Sequence, residues 1–490
     1  VQSPQFITAR RGLGFDIDSP YAGPRGKVFP LGSFGHTGWT GTSLWIDPLS
    51  RTTVIFLSNR NHPSGGRVVP LRRELGNLAA AAVRDFNFKD VAGALPELTD
   101  AQLLQSNREL RAPDPTVKNG IDVLVAKKFA ALKGRTVGLI TNHTGRAIDG
   151  TPTIDLLHQA KEVNLAALFS PEHGIRGTAD DTAIKDGVDR KTGLKIHSLY
   201  LGEKRKPTPD QLKGLDTLIF DIQDIGCRFY TYISTMGLCM EAAEEAGLRF
   251  VVLDRVNPIG GVRVDGPVRH GERVFVAHHD IPVRHGMTVG ELARLFQAEL
   301  LPALDLEVVQ VSGWKRPQLF DETGLPWVNP SPNMRSLTAA ILYPGLGLLE
   351  FTNLSVGRGT VMPFELMGAP YIEPERFAKE LNAAKIPGVV AIPVRFTPTA
   401  SKFKDEECGG VRLLETDPHA CQSVRLGLTM ARLLRRLHPD DWDPAKLNTL
   451  LLHPATTNAL LERLPAETCL LYTSDAADED CLVGGGGGGG

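Results

Sequence analysis

Residues 217–258 read TLIFDIQDIGCRFYTYISTMGLCMEAAEEAGLRFVVLDRVNP. The runs TLIFDI (217–222) and RFVVLD (249–254) are short, apolar and rich in β-forming residues, which is typical of buried strands. Between them, YISTMGLCMEAAEEAG (232–247) has the length of a helix, and Gly247 is placed to end it. A strand, a helix and a second strand in this order predict a βαβ unit with parallel strands.

The same alternation extends towards the N-terminus. TVGLIT (136–141) and LAALFS (165–170) are further predicted strands, and TIDLLHQA (153–160) and TPDQLKG (208–214) are predicted helices. Repeated βα units indicate an α/β fold with a mostly parallel sheet and helices on both faces.

Polar residues follow each of these four strands at the point where it ends. The clusters are Asn142-His143-Thr144-Gly145, Pro171-Glu172-His173-Gly174-Ile175-Arg176-Gly177, Gln223-Asp224-Ile225-Gly226-Cys227-Arg228-Phe229-Tyr230 and Arg255-Val256-Asn257-Pro258. The carboxyl ends of parallel strands meet at one edge of a sheet, which is where ligands bind in open α/β sheets. Loops are polar in general, so chance explains any one cluster, but four in succession predict a functional site.

Composition and charge narrow the classes of partner. The chain has 490 residues, of which 42% are hydrophobic and 22% charged, as in globular enzymes. Lys and Arg number 54 against 56 Asp and Glu, a net charge of -2, which argues against nucleic acid or anionic lipid as a partner. No apolar run approaches the roughly 20 residues that span a bilayer. The 6 Cys are scattered without a CxxC pair. A neutral or small substrate fits best.

Several chemistries lack their sequence signatures. No Gly-rich phosphate loop follows a predicted strand, since NHTGRAIDG (142–150) matches neither nucleotide motif, and there is no GxSxG elbow. A metal held by His143, His173 and a carboxylate stays open, although the spacing is not that of a known zinc helix. The remaining set of carboxylates, Arg, Asn and Tyr favours sugar recognition and glycoside hydrolysis without a cofactor.

Glu172 is the predicted general acid. It follows a strand on a turn flanked by Pro and Gly, with His173 and Arg176 nearby. A turn carboxylate with no catalytic role is the alternative. Asp221 lies inside an apolar run and is expected to cap the sheet edge, which leaves Asp224 as the predicted second carboxylate.

The N-terminal region has a different pattern. Short β-rich runs surround Gly35-His36-Thr37-Gly38-Trp39-Thr40-Gly41, DPLSR (47–51) is a turn signal, and an amphipathic helix follows over 68–83. This arrangement resembles the end of the serine β-lactamase and penicillin-binding-protein-like hydrolases, whose strand with this motif lines the acyl-enzyme site. The resemblance predicts an antiparallel fragment over 1–85. Because the upstream SxxK nucleophile is not in this sequence, we expect no β-lactamase or esterase turnover from it.

Seven motifs in order give the rest of the chain, about residues 118–465, a second resemblance. They are GLITNHTG (138–145), FSPEHGIRG (169–177), FDIQDIGCRFYTY (220–232), LDRVNPIGG (253–261), PSPNM (330–334), YPG (343–345) and TNLSVGRGT (352–360). This stretch resembles the exo-β-N-acetylmuramidases of the NamZ type. The resemblance implies a Rossmann-like catalytic domain, placed here at 118–310, and a smaller α+β domain at 311–465. We expect residues 86–117 to be a linker and 466–490 an artefactual or disordered tail.

The resemblance also implies an activity. It is the release of terminal β-1,4-linked N-acetylmuramic acid from the non-reducing end of peptidoglycan fragments, outside the cytoplasm, with Glu172 of the EHG motif as the catalytic residue. The lactyl carboxylate of that sugar calls for Arg, for which Arg176, Arg228 and Arg358 are candidates. Further candidates for contacts with the sugar are Asn142, His143, His173, Tyr230, Asn257, Asn333 and Asn353. Two alternatives remain: a module that binds peptidoglycan without cleaving it, and a serine hydrolase acting through the N-terminal region.

Overall fold

A computed structural model describes residues 117–171, 175, 186–200 and 205–461 and, nearer the N-terminus, 10–12, 15–18, 22–30, 33–38, 40–59, 68–84, 86 and 88. The chain forms two compact units, Val1–Ala112 and Pro113–Gly490. The predicted tail 466–490 lies outside the described residues, as does the predicted linker 86–117 except at 86, 88 and 117.

The first unit contains a five-stranded antiparallel sheet in sequence order. Its strands are β1 (Arg10–Gly12), β2 (Phe15–Asp18), β3 (Phe34–Thr37), β4 (Ser43–Asp47) and β5 (Thr52–Phe56). The predicted turn joins β4 to β5, where a carboxylate oxygen of Asp47 accepts from the Ser50 N–H at 2.9 Å. Helix α1 (Val69–Ala82) follows, and its buried Arg72 donates to the carbonyls of Gly38, Gly41 and Thr42. The GHTGWTG turn is therefore held by the helix.

The second unit is built on a seven-stranded sheet. Its strands are β6 (Thr136–Thr141), β7 (Asn164–Ser170), β8 (Gly187–Val188), β9 (Lys195–Ser198), β10 (Thr217–Asp221), β11 (Arg249–Leu253) and β12 (Leu306–Val309). The order is β12-β11-β10-β6-β7-β9-β8, and every pair is parallel except β8 with β9. Without β8, this is the strand order of dinucleotide-binding Rossmann folds, with the switch point between β6 and β10. The predicted fold class is confirmed.

Helices cover both faces because each central strand is apolar on both sides. In β10, Leu218 and Phe220 belong to one core and Ile219 to the other. The first core packs against α5 (Tyr232–Ala246) and α6 (Val289–Leu300), and the second against α2 (Gly120–Ala126) and α3 (Thr153–Gln159). A short helix α4 (Pro209–Leu212) precedes β10. Helix α5 ends at Gly247, which has a left-handed φ of 64°, as the sequence predicts.

The rest of the second unit is α+β. A three-stranded antiparallel sheet has the order β13-β15-β14, from β13 (Leu366–Ala369), β14 (Val389–Phe396) and β15 (Cys408–Glu415). The helices here are α7 (Leu337–Leu346), α8 (Pro374–Ala383), α9 (Ser423–Leu437), α10 (Asn448–Leu451) and α11 (Pro454–Leu461). Their apolar faces join the same hydrophobic core as α5. Among the described helices, none combines the length and apolar character that crossing a bilayer demands.

Candidate active site

The loops that carry the predicted clusters share the carboxyl-terminal edge of the seven-stranded sheet. Strands β11, β10, β6 and β7 are parallel neighbours in that order, so the loops that follow them leave from the same edge. Strand β7 ends beside β6, with Phe169 opposite Ile140, and the buried Pro171 follows it. Glu172, His173 and Arg176 come next in the chain and lie outside the described residues.

The switch point between β6 and β10 is filled by the protein itself. Asp221, at the end of β10, accepts from the Arg255 Nε at 2.6 Å and from the Thr153 hydroxyl, and both charged side chains are almost fully buried. The Arg255 guanidinium also donates to the carbonyl of Arg146. The cavity beside this ion pair is about 80 Å³, and its lining includes Arg255 and Trp327. Ligand sites are typically roughly 300–1,000 Å³, so this cavity is too small to be one.

The segment 326–334 lies over this edge and is held at two points. The His143 Nε2 lies 2.7 Å from the carbonyl oxygen of Asn329, and the Tyr232 hydroxyl donates to the carbonyl of Pro330 at 3.2 Å. Burial, aided by the charge of Arg146, lowers the pKa of His143, although the contact with Asn329 opposes the shift. His143 is therefore a neutral imidazole at pH 7 that joins the loop after β6 to the PSPNM segment.

An aromatic cluster stands beside these loops. The Tyr230 ring is edge-on to Tyr232 at 5.3 Å and to Tyr343 at 5.9 Å, measured between ring centroids. Tyr343 in turn is edge-on to Phe364 at 4.7 Å. The cluster thus joins the loop after β10, the start of α5, the YPG turn of α7 and the segment after the VGRGT motif. All four rings are buried and belong to the hydrophobic core, so the cluster packs these segments together and Tyr230 does not offer an open ring face to a sugar.

Arg358 is the charged group next to this cluster. It lies between Gly357 and Gly359, whose φ values of 80° and 81° form a turn that other residues rarely adopt. Its guanidinium lies 5.1 Å from the centre of the Phe364 ring and donates through Nε to Glu350. The side chain keeps 33% of its surface exposed, and no hydrogen bond uses its two Nη groups within the described part of the chain.

Electrostatics keep Arg358 charged. Burial alone disfavours its cationic form, but the ion pair with Glu350, with smaller contributions from Tyr343 and Tyr230, raises the pKa of Arg358 above its usual value. The two Nη groups therefore present a fixed cationic pair of donors to solvent, which is the arrangement that binds a carboxylate in two places at once.

Asp224, the predicted second carboxylate, is buried. It is 4% exposed, its Oδ2 accepts from the Gly226 N–H at 2.7 Å, and the Nε2 of the buried His285 lies 3.3 Å from the same oxygen. The Nδ1 of His285 accepts from the Met287 N–H, which puts the ring proton on Nε2, facing Asp224. This pair fastens the loop after β10 to the segment 283–287.

Arg228 and Asn257 also face inwards. The Arg228 side chain is fully buried and donates to four main-chain carbonyls, those of Pro267, Ile281, Leu450 and Leu451. Asn257 is 2% exposed, and its amide nitrogen donates to the carbonyl of Met287 at 3.0 Å. A fully buried guanidinium bonded to its own chain cannot meet a substrate carboxylate, so the structure points to a structural role for Arg228.

Three other Asn residues are predicted to contact the sugar, and the structure uses the side chains of two of them within the fold. Asn142 is buried, and its carbonyl oxygen accepts from the N–H and hydroxyl of Thr144. Asn353 donates to the carbonyl of Asp441 and accepts from the Asp443 N–H, which ties two loops together. Asn333 is half-buried in the PSPNM segment, close to the VGRGT loop because Arg335 donates to the carbonyls of both Pro332 and Thr360. Of these three, only Asn333 has no side-chain hydrogen bond to another residue in the described part of the chain.

Sequence reasoning missed two residues of this site. Glu350 orients Arg358, but its segment GLGLLEF gives no signal beyond its glycines. His285 pairs with Asp224 across 61 positions of sequence, which no local pattern reveals. Within the described ranges, no three His, Cys, Asp or Glu side chains come close enough to hold a metal ion.

Comparisons with known proteins match most of the second unit and part of the first. The model of the N-terminal domain of exo-beta-N-acetylmuramidase NamZ matches residues 137–338, the model of its C-terminal domain matches 341–473, and a beta-lactamase model matches 2–77. The peptidoglycan beta-N-acetylmuramidase NamZ of Bacillus subtilis (strain 168) is 44% identical over 348 residues, which is 71% of this chain and 84% of that protein.

Two crystal structures of DUF1343 family proteins from Bacteroides fragilis NCTC 9343 are also similar. One has 38% identity and a TM-score of 0.69, over 74% of this chain and 95% of its own. The other has 30% identity and a TM-score of 0.59, over 72% of this chain and 92% of its own.

Proposed function

Since this chain belongs to the NamZ family of exo-β-N-acetylmuramidases, we propose that it is a glycosidase that releases terminal β-1,4-linked N-acetylmuramic acid from the non-reducing end of peptidoglycan fragments. The observation that carries the proposal within the structure is Arg358. Its two Nη groups stand uncommitted among the described residues, next to an aromatic cluster at the ligand-binding edge of the sheet.

The sugar accounts for that arrangement. N-acetylmuramic acid differs from N-acetylglucosamine by a lactyl ether that carries a carboxylate. We assign this carboxylate to the Nη groups of Arg358, which Glu350 orients. Asn333, half-buried in the neighbouring PSPNM segment, is our candidate for hydrogen bonds to the polar groups of the sugar.

Glu172 is our candidate for the general acid. Glycoside hydrolysis needs an acid that protonates the leaving oxygen and a second group that stabilises the oxocarbenium-like transition state. Glu172 comes two residues after the end of β7, on the edge where the substrate is proposed to bind. Asp224, bound to a main-chain N–H and facing His285, is assigned to positioning the loop that carries Tyr230. The second group is then either another carboxylate or the 2-acetamido oxygen of the substrate.

We further propose that the protein works outside the cytoplasm, in the turnover of the bacterial cell wall. Peptidoglycan is a polymer outside the cytoplasmic membrane, so an enzyme that trims its chain ends meets the substrate there.

The test is a pair of variants at the two ends of one strand. Glu172→Gln should lower the release of N-acetylmuramic acid from its β-1,4-linked disaccharide with N-acetylglucosamine by at least about 100-fold, because the sugar leaving group needs the proton that a positioned acid supplies. Glu162→Gln is the matched control. Glu162 is exposed and precedes β7, about 20 Å from its other end, and its loss should leave the rate unchanged.

Three results would oppose the proposal. Turnover by Glu172→Gln equal to that of the control would remove Glu172 as the acid. Loss of activity in EDTA with recovery on adding zinc would favour metal-assisted hydrolysis instead. A protein that binds muropeptides and never releases the sugar would be a binding module.

A further inference from the structure

A second, larger cavity lies alongside helix α5. It is a groove of about 690 Å³ whose lining includes Arg205, Lys206, Thr208, Arg273, Phe275 and His278. Its volume is in the range of ligand sites, roughly 300–1,000 Å³, whereas the switch-point cavity is far smaller. None of its lining residues belongs to the predicted clusters.

Two of the three Lys and Arg side chains that line the groove are paired with carboxylates. Lys206 lies 2.8 Å from Glu245 and 3.8 Å from Glu241, and Arg273 lies 2.9 Å from Glu241. These four charges balance. Arg205 has no acidic partner among the described residues and is the charge left over.

Aromatic rings hold Arg205 in place. Its guanidinium carbon lies 3.8 Å from the centre of the Phe275 ring and 5.8 Å from that of Tyr200. Stacking on a ring fixes the plane of a guanidinium and leaves its N–H groups pointing outwards at the edge. An Arg held in this way is ready to bind a carboxylate without first losing side-chain freedom.

The groove is joined to the candidate active site by a short series of contacts. The Leu199 N–H donates to the carbonyl of Ser170, the last residue of β7, and Tyr200 follows directly. The Tyr200 hydroxyl lies 2.9 Å from that of Thr235 in the first turn of α5. The same turn begins with Tyr232, which bonds to the segment over the sheet edge. These contacts connect Tyr200, whose ring centre lies 5.8 Å from the Arg205 guanidinium carbon, to the segment over the sheet edge.

We propose that this groove binds a carboxylate of the second muramic acid of a longer peptidoglycan fragment, with Arg205 as the group that binds it. The inference rests on the proposed function: an exo-acting enzyme holds the terminal sugar at the sheet edge, and the rest of the chain must leave along the surface. The carboxylate has two sources, the lactyl group of that muramic acid or the peptide attached to it. Both offer an anion to a flat, ring-supported guanidinium.

The experiment compares substrates of different length in the full chain. Arg205→Gln should leave kcat and KM for a chromogenic muramide and for the peptide-free disaccharide unchanged, and raise KM for a muramic-acid-containing tetrasaccharide about tenfold, as loss of one two-point carboxylate contact predicts. A rise confined to the peptide-bearing tetrasaccharide would assign the carboxylate to the peptide, and a rise with the peptide-free one to the lactyl group. The matched control is Arg436→Gln, an exposed Arg on α9 that pairs with Glu380.

Three outcomes separate this inference from the proposed function. Equal KM values of Arg205→Gln and wild type on every tetrasaccharide would overturn the groove assignment, while hydrolysis of the chromogenic muramide would still support the function. Equal losses on all substrates with a lowered melting temperature would mean that Arg205 is structural, and would also overturn it. If the wild type hydrolyses none of them, the function fails, and calorimetric titration with the tetrasaccharides tests the groove alone: binding that Arg205→Gln weakens supports it, and unchanged binding refutes it.

Discussion

Replacing Arg228 tests whether this side chain stabilises the fold or binds the substrate. The side chain is fully buried and donates four hydrogen bonds to main-chain carbonyls, two of them in the segment 450–451. In Arg228→Gln the shorter amide can reach at most two of these acceptors, and the others are left buried without a donor. A buried acceptor without a partner costs about 1–3 kcal/mol, so two of them, partly hydrated, should destabilise the fold by about 4 kcal/mol.

That figure converts into a melting temperature. A unit of about 350 residues unfolds with an entropy of about 0.7 kcal/mol/K, from about 2.1 cal/mol/K per residue, so 4 kcal/mol lowers the Tm by about 5–6 °C. Differential scanning calorimetry of the full chain measures this on the transition of the second unit. Arg436→Gln, which loses an exposed ion pair with Glu380, should shift the Tm by less than about 1 °C.

The kinetic expectation is the opposite of that for a substrate-binding Arg. Below its melting temperature, Arg228→Gln should keep the wild-type KM for a chromogenic muramide. A Tm within 1 °C of wild type together with a KM raised tenfold or more would refute the reasoning, because it would mean that the guanidinium reaches the substrate.

Two further predictions concern charge. Arg358→Lys keeps the charge and loses the planar fork, so the preference for a muramide over the matching N-acetylglucosaminide should fall about tenfold, as measured by the ratio of kcat/KM values; an unchanged ratio would contradict carboxylate binding there. Burial lowers the pKa of His278 from its usual 6.5 to about 3, so the folded protein keeps the ring neutral where the unfolded chain protonates it. The neutral ring therefore contributes its full share of the free energy of unfolding above about pH 6.5, and this contribution declines as the pH falls towards 3. His278→Asn should not show this decline, which amounts to about 2 kcal/mol at pH 5 and is measured by urea titration. An equal decline in the free energy of unfolding of His278→Asn and of the wild type between pH 6.5 and 3 would contradict this prediction.

The sequence predicts the sheet well because its strands carry the signal locally. TLIFDI and RFVVLD are apolar on both faces, and the structure pairs each of them with a strand on either side. The shared edge of the loops follows from parallel pairing alone. These features depend on residues within about ten positions of one another.

The orientation of the loop side chains, by contrast, is not determined by neighbouring residues in the sequence. Arg228 and Arg358 both look like substrate ligands in the sequence, yet one is buried by the segments 267–281 and 450–451, and the other stands on a turn at the surface. The difference arises from chain more than 200 positions away in the first case and from the φ angles of two neighbouring glycines in the second. Only the second has a sequence signal, the GRG pattern itself.

The ion pair of Asp221 with Arg255 means that this sheet has the strand order of a nucleotide-binding fold without the space for a nucleotide. A sheet with this strand order has a slot for a nucleotide at its switch point, and here two of the protein's own charges occupy that slot. The proposed function places recognition of the sugar in the outer loops 326–334 and 357–362, which contain none of the strands of this sheet. A change in the accepted carbohydrate should therefore be sought in those loops and not in the sheet.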